Sequence, residues 1–116
     1  MNIIGEIKWF FGDDYAHLKF SESKTSFSID IVMVPSAHRG AGIGTMLIRH
    51  VLYLADSMGK DVYVSARPFA QFSEEKLGRL ITYYQRLGFE VTDRGLTTAY
   101  MRRKHSIRSE DLPVKA

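Results

Sequence analysis

Apolar residues dominate from Ile3 to Phe11 and alternate with polar ones from Tyr15 to Phe20, with Gly12-Asp13-Asp14 between the two runs. A period of two predicts half-buried strands, and the Gly and Asp residues predict the turn that joins them. After a polar turn at 21–26, Phe27, Ile29, Ile31 and Met33 alternate with Ser28, Asp30, Val32 and Val34, which predicts a third strand ending at Pro35. Three strands with short turns make an antiparallel meander. The period then changes. Between Gly42 and Met58, Leu47, Ile48, Val51, Leu54, Ala55 and Met58 recur at helical spacing, and Gly59 marks the stop. Asp61 to Ala66 predicts a short strand. A strand–helix–strand crossover of this length implies parallel pairing with the strand before the helix. Ser73 is a predicted N-cap with Glu74 and Glu75 in the first turn, and Leu77, Leu80, Ile81, Tyr84 and Leu87 form one face of a second helix. Phe89 to Thr92 and Thr97 to Arg103 predict a closing hairpin. The order is βββαβαββ: an α+β arrangement with a mixed, mostly antiparallel sheet and one parallel pair.

The junction between the third strand and the first helix carries the most chemistry. It reads Val34-Pro-Ser-Ala-His-Arg-Gly-Ala-Gly-Ile-Gly-Thr45. Glycines let a backbone approach an anion closely, and the unpaired N–H groups of a first helical turn point at it. A phosphorylated ligand is therefore the expectation. Thr45 and Met46 stand where a Walker loop needs Lys and then Ser or Thr. The dinucleotide spacing from Gly40 and Gly42 fails at Thr45, and from Gly42 and Gly44 it fails at Leu47.

The pattern that fits is Arg-x-x-Gly-x-Gly over Arg39 to Gly44. With its flanks it resembles the acyl-CoA pyrophosphate loop of the GCN5-related N-acetyltransferase (GNAT) superfamily, and LITYYQRLGFEV downstream resembles the family's later helix. The resemblance covers roughly Phe27 to Phe89. It implies that Arg39, Gly40, Ala41, Gly42, Ile43, Gly44 and Thr45 bind pyrophosphate. It implies that backbone groups near Ile31, Met33 and Val34 bind the pantetheine arm, while the side chains of Ile31 and Met33 read as core. Tyr84 matches the tyrosine that protonates the departing thiolate; read from the residues alone, it is an aromatic on the core face of its helix. Tyr83 is one residue out of register. Asp30 sits on the strand where several members carry a base; the plainer reading is an exposed polar strand residue. His17 and Glu6 are weaker candidates, and His38 and His50 read as surface or helix residues. Leu77 stands where many members have an Asn. The family usually carries another strand and one or two helices before the hairpin, so this sequence is expected to be a short form.

Composition narrows the function further. The chain has 116 residues, enough for one domain, expected over 1–104 with a basic tail at 105–116. It contains no Cys, which removes disulfides, thiolate metal sites and an acyl-cysteine intermediate. No apolar run approaches the about 20 residues that span a bilayer, and Met1 to Ile4 does not read as a signal peptide. The net charge is +3. It comes from the end of the chain, where Arg94, Arg102, Arg103, Lys104, Arg108 and Lys115 face only Glu110 and Asp111. A solvated tail is the expectation, and nucleic acid is not an expected partner.

The resemblance implies direct transfer of acetyl from acetyl-CoA to a primary amine, on a small molecule or on a protein Lys or N-terminus. It implies no metal. The expected location is the cytoplasm, and a homodimer would pair open sheet edges. The alternatives are a CoA-binding regulatory module of the same fold and a protein-interaction domain.

Overall fold

The computed structural model describes residues 3–68 and 71–106. Three strands, β1 (Ile3–Phe11), β2 (Asp14–Glu22) and β3 (Ser26–Met33), form the meander. A 3₁₀ turn at Ser36–His38 leads into α1 (Ile43–Met58). Then come β4 (Asp61–Ala66), α2 (Glu74–Arg86), β5 (Glu90–Arg94) and β6 (Ala99–Arg103). The βββαβαββ order holds. The six strands form one sheet in the order β1-β2-β3-β4-β6-β5. Among the described strands only β3 and β4 pair in parallel. The closing hairpin inserts β6 beside β4 and leaves β5 at the edge.

The helices pack on one face of the sheet. Leu47, Ile48, Val51, Leu52 and Ala55 of α1 are buried against Leu18, Phe27, Ile29, Val62, Val64 and Met101. A fully buried side chain of this kind contributes about 1.5–3 kcal/mol, so this stripe holds α1 to the sheet. Leu52 belongs to it, whereas Met58, expected inside, is 51% exposed. Leu77 and Tyr84 of α2 enter the same core. Ser73 caps α2 as expected, its Oγ accepting from the Lys76 N–H at 3.0 Å. The opposite face presents Tyr15, His17, Lys19, Ile31, Tyr63 and Tyr100, and no helix among the described residues covers it.

A shift of register in β3 sets which residues face the core. Lys19 pairs with Ile31 while its neighbour Phe20 pairs with Ile29, so Asp30 is an extra residue in β3, a β-bulge. An extra residue exchanges the two faces of everything after it. Phe27 and Ile29 point into the core, but beyond Asp30 it is Val32 that packs against the core. Ile31 is 42% exposed on the open face, and Met33 lies outside the core cluster. The expectation of core side chains at Ile31 and Met33 is corrected by this bulge.

The expected tail, 105–116, lies outside the described residues from 107 onward. At its start the chain is held. Asp61 Oδ1 accepts from both the backbone N–H and Nδ1 of His105 at 2.9 Å. Asp56 takes a two-pronged contact from Arg103 at 2.8 and 2.9 Å and accepts from the Ser106 N–H. The hydrogen bonds from His105 hold the Asp61 carboxyl below its ordinary value. At Asp56, burial pushes the pKa up, but hydrogen bonds from Arg103 and Ser106 and the nearby positive charges outweigh it. A carboxyl with a depressed folded pKa contributes stability above its unfolded pKa and loses it as pH falls through the folded value. Thermal unfolding followed from about pH 7 to about pH 3 should show a falling Tm below about pH 4. Asp61→Asn should start lower at neutral pH and fall less; an unchanged acid limb would contradict the contact.

Candidate active site

The sequence builds the site by interrupting the sheet. β3 and β4 pair from Ser26↔Asp61 to Ile29↔Val64, and there the ladder stops. Backbone groups alternate in direction along a strand. Beyond Ile29, those of β3 that point toward β4 therefore have no ladder partner. The bulge at Asp30 sits at this fork. A cleft of about 710 Å³ opens there, lined by Asp30, Ile31, Val32 and Met33 from β3 and by Val64 and Ser65 from β4. Arg67, Leu80, Tyr84, Thr98 and Tyr100 complete it. Because Tyr84 lies on the helix side and Tyr100 on the open side, the cleft joins the two faces of the sheet.

At one end of this gap stands the glycine loop. Gly40 and Gly42 adopt φ of 86° and 81°, in the left-handed region that L side chains avoid. Gly42 is the N-cap of α1, and no side chain caps the helix. The first helical bond runs from Met46 N–H to Gly42 C=O at 3.0 Å. The N–H groups of Ile43, Gly44 and Thr45 therefore have no partner within the helix, and the positive end of its dipole adds to them. Gly44 differs from the other two. Its conformation is helical, and a Cβ there would meet Val34 and Val32 side chains at 3.5 and 3.7 Å, ordinary contacts.

Side chains brace the loop. Arg39 is exposed, and its Nε donates to the Val34 C=O at 2.9 Å, closing the segment on itself. The His38 ring stacks on Phe11 at 3.8 Å between centroids, which ties the β1–β2 turn to the loop. Tyr83 contributes the tie that the sequence did not reveal. Its hydroxyl and the Thr45 hydroxyl are 2.6 Å apart, so α2 is fastened to the first turn of α1. A tyrosine one residue off the buried helical face was the only signal available.

Tyr84 is 8% exposed and packs edge-on against Tyr83 and Phe89. Burial, with a smaller contribution from Tyr83, pushes its phenol up to about 12. Tyr84 therefore keeps its proton at any ordinary pH. Its hydroxyl makes no hydrogen bond to another described residue, while its side chain lines the cleft. Asp30 is exposed on the far lip of the same cleft, with Oδ2 accepting from Ser21 Oγ at 2.6 Å. The structure thus brings Asp30, Ile31, Met33 and Tyr84 to one cleft. Leu77 is fully buried, so its side chain does not reach that space. His17 pairs with Met33 on the open face, and Glu6 pairs with Lys8 at 3.6 Å. Among the described residues no three His, Asp or Glu side chains converge to hold a metal ion. None of the described helices is long and apolar enough to cross a membrane.

The structure thus shows a forked parallel strand pair with a glycine turn at the helix entrance, and comparison with known proteins gives the family. The acetyltransferase (GNAT) domain family matches residues 2–91, and the chain belongs to it. Among solved structures, the fold is similar to the ribosomal-protein-S18-alanine N-acetyltransferase from Escherichia coli, with a TM-score of 0.74 and 15% identity. That match covers 96% of this chain and 75% of the other. The PaiA N-acetyltransferase from Thermoplasma acidophilum, in complex with coenzyme A, superposes with a TM-score of 0.69 at 13% identity, over 88% of this chain and 61% of that one. The anti-CRISPR protein AcrVA5 matches with a TM-score of 0.60 at 23% identity, over 84% of this chain and 97% of its own. At these identities the likeness is one of fold. No curated protein sequence matches the chain closely enough to stand as a relative. The protein is of the acyltransferase class.

Proposed function

We propose that the protein transfers an acetyl group from acetyl-CoA directly to a primary amine. The observation that carries this reading is the cleft itself. It brings a buried phenol on one side and an exposed carboxylate on the other to the fork in β3, and the same strand leads on to the glycine loop and the N–H groups at the start of α1. The pyrophosphate would lie against the backbone N–H groups from Gly42 to Thr45, held as an anion at a helix N-terminus. Arg39 keeps its terminal guanidinium nitrogens for a phosphate, since only its Nε goes to Val34. The pantetheine arm would run along the free edge of β3 from Ile31 to Val34, making the backbone bonds that β4 does not make. That the solved PaiA N-acetyltransferase holds coenzyme A on a similar fold supports the donor.

The two side chains take opposite proton roles. Asp30, directly or through water, accepts a proton from the acceptor ammonium, leaving a neutral amine. The amine nitrogen attacks the thioester carbonyl carbon. A backbone N–H of β3 steadies the oxygen as it gains charge. As the new C–N bond forms and the C–S bond breaks, the nitrogen loses its second proton to solvent, while Tyr84 gives its proton to the leaving sulfur and is reprotonated from solvent. The net change is one amide, one free thiol and one released proton. Holding both reactants in one cleft supplies much of the rate.

Calorimetry with acetyl-CoA, followed by mass spectrometry of cell extract incubated with protein and labelled acetyl-CoA, tests the proposal. Donor binding and a labelled amide product are expected. Absence of donor binding would remove it, and donor binding without any product would favour a CoA-binding module instead.

A further inference from the structure

The open face of the sheet carries a second, smaller depression beside the cleft. It has a volume of about 190 Å³ and shares Asp30, Ser65 and Tyr100 with the cleft. Tyr63 stands at its outer side. In the β4–β6 ladder Tyr63 faces Arg102 and Ser65 faces Tyr100, so the two tyrosines are diagonal neighbours. Such positions lie about 7–8 Å apart. Each ring is partly exposed, at 40% and 46%. Ser65, opposite Tyr100 in the ladder, and Asp30, at the bulge, line the same depression.

We propose that this depression selects the acceptor: a primary ammonium on an unbranched alkyl chain, such as a lysine side chain. The inference rests on the acetyl-transfer reading for the identity of the cleft. Three properties point to that chemistry. Tyr63 and Tyr100 are diagonal neighbours that line one narrow depression, so a methylene chain lying in it touches aromatic surface. Aromatic faces attract a cation as well as its apolar stem. Among the described residues Asp30 is the only charged side chain that lines the depression, whereas Arg67 lines the wider cleft alone. A cation entering between the tyrosines therefore meets one carboxylate and no competing positive charge from that lining. Ser21 holds that carboxylate in place at 2.6 Å. The volume lies below the about 300 Å³ of pockets that take drug-sized ligands, which favours a slender chain over a ring system. The two tyrosines contact the stem and do not touch the reacting atoms; they are positioning residues.

The test uses Nα-acetyl-lysine amide, n-butylamine, a lysine-containing peptide, and a peptide with a free α-amine but no lysine. The first three are expected to be acetylated in preference to the last. Tyr63→Ala combined with Tyr100→Ala should raise KM for Nα-acetyl-lysine amide about tenfold. Tyr63→Ala alone, at a residue that does not line the cleft, should leave KM for acetyl-CoA unmoved, and Tyr100→Phe should retain most of the amine affinity because the ring face remains. Comparison of n-butylamine with the lysine peptide separates a free amine from a polypeptide side chain as the source. Preference for the α-amine peptide, or tyrosine variants without effect on the amine KM, would overturn the proposal. A second measurement is independent of turnover. Nα-acetyl-lysine amide titrated into the protein, with and without CoA, should shift the NMR signals of Tyr63 and Tyr100. No shift in either titration overturns the acceptor assignment, while loss of acetyl-CoA binding in calorimetry would instead remove the parent reading.

Discussion

Tyr84→Phe is expected to lower kcat about a hundredfold, the low end of what a positioned general acid supplies. The substitution is close to ideal as a probe. It removes one hydroxyl and keeps the ring that packs against Tyr83 and Phe89. That hydroxyl has no hydrogen-bond partner among the described residues, so no buried donor or acceptor is orphaned by its loss. Stability should therefore stay within about 0.5 kcal/mol. Binding of acetyl-CoA should be nearly unchanged, because the proton is needed only as the C–S bond breaks. A thiolate can still leave without its proton, which is why the variant keeps residual activity. The phenol at about 12 makes a second feature of the pH profile informative. Wild-type activity should show no loss from Tyr84 ionisation below about pH 10, since burial keeps the proton in place. Steady-state kinetics with calorimetry in parallel checks both. An unchanged kcat would leave Tyr84 as a core residue that happens to border the cleft.

The second large effect separates two glycines that look alike in the sequence. Gly42→Ala should destabilise the protein by about 1–2 kcal/mol, the cost of a Cβ in the left-handed region. It should also weaken acetyl-CoA binding about tenfold, a loss of about 1.4 kcal/mol, because the N-cap then relaxes and turns the first N–H groups away. Steric crowding is not the cause: a Cβ at Gly42 meets no atom within 4 Å. Gly44→Ala should behave in the opposite way. Its backbone is already helical, and its Cβ would rest on Val34 and Val32, toward the sheet. Alanine in a helix is favoured over glycine by up to about 1 kcal/mol, so Tm should rise while acetyl-CoA affinity stays within about twofold. Thermal unfolding and calorimetry on the two variants decide the matter. Equal losses of affinity would mean that Gly44 keeps space for the ligand rather than for the helix.

These variants also mark where the sequence was legible. Helix α1 and the loop before it were readable because local rules agree there: apolar residues at helical spacing, glycines at the entrance and a proline before it. The parallel pairing of β3 with β4 followed from a crossover of fixed hand. The bulge was harder to see. Phe27 and Ile29 alternate cleanly with polar neighbours, but Ile31-Val32-Met33-Val34 is apolar throughout and carries no phase. A one-residue shift at Asp30 then exchanges Ile31 for Val32 in the core, and only the register with β2 reveals it. The failure of alternation after Asp30 was the available hint. Tyr83 was missed for a different reason. Its bond to Thr45 spans two helices, and local sequence does not encode which residue of one helix meets which residue of another. The grouping of Tyr63, Tyr100 and Asp30 depends likewise on strand order, with β6 beside β4 instead of at the edge.

The extra residue at Asp30 gives the strand an unusual sensitivity to length. Most substitutions at this position alter a side chain on an open lip and leave the fork as it is. Deleting the residue is a different kind of change. It would remove the bulge and restore a continuous alternation, with Ile31 still on the open face and Val32 still against the core. Chain length at this one position, more than the choice of side chain, thus sets the kink at the fork.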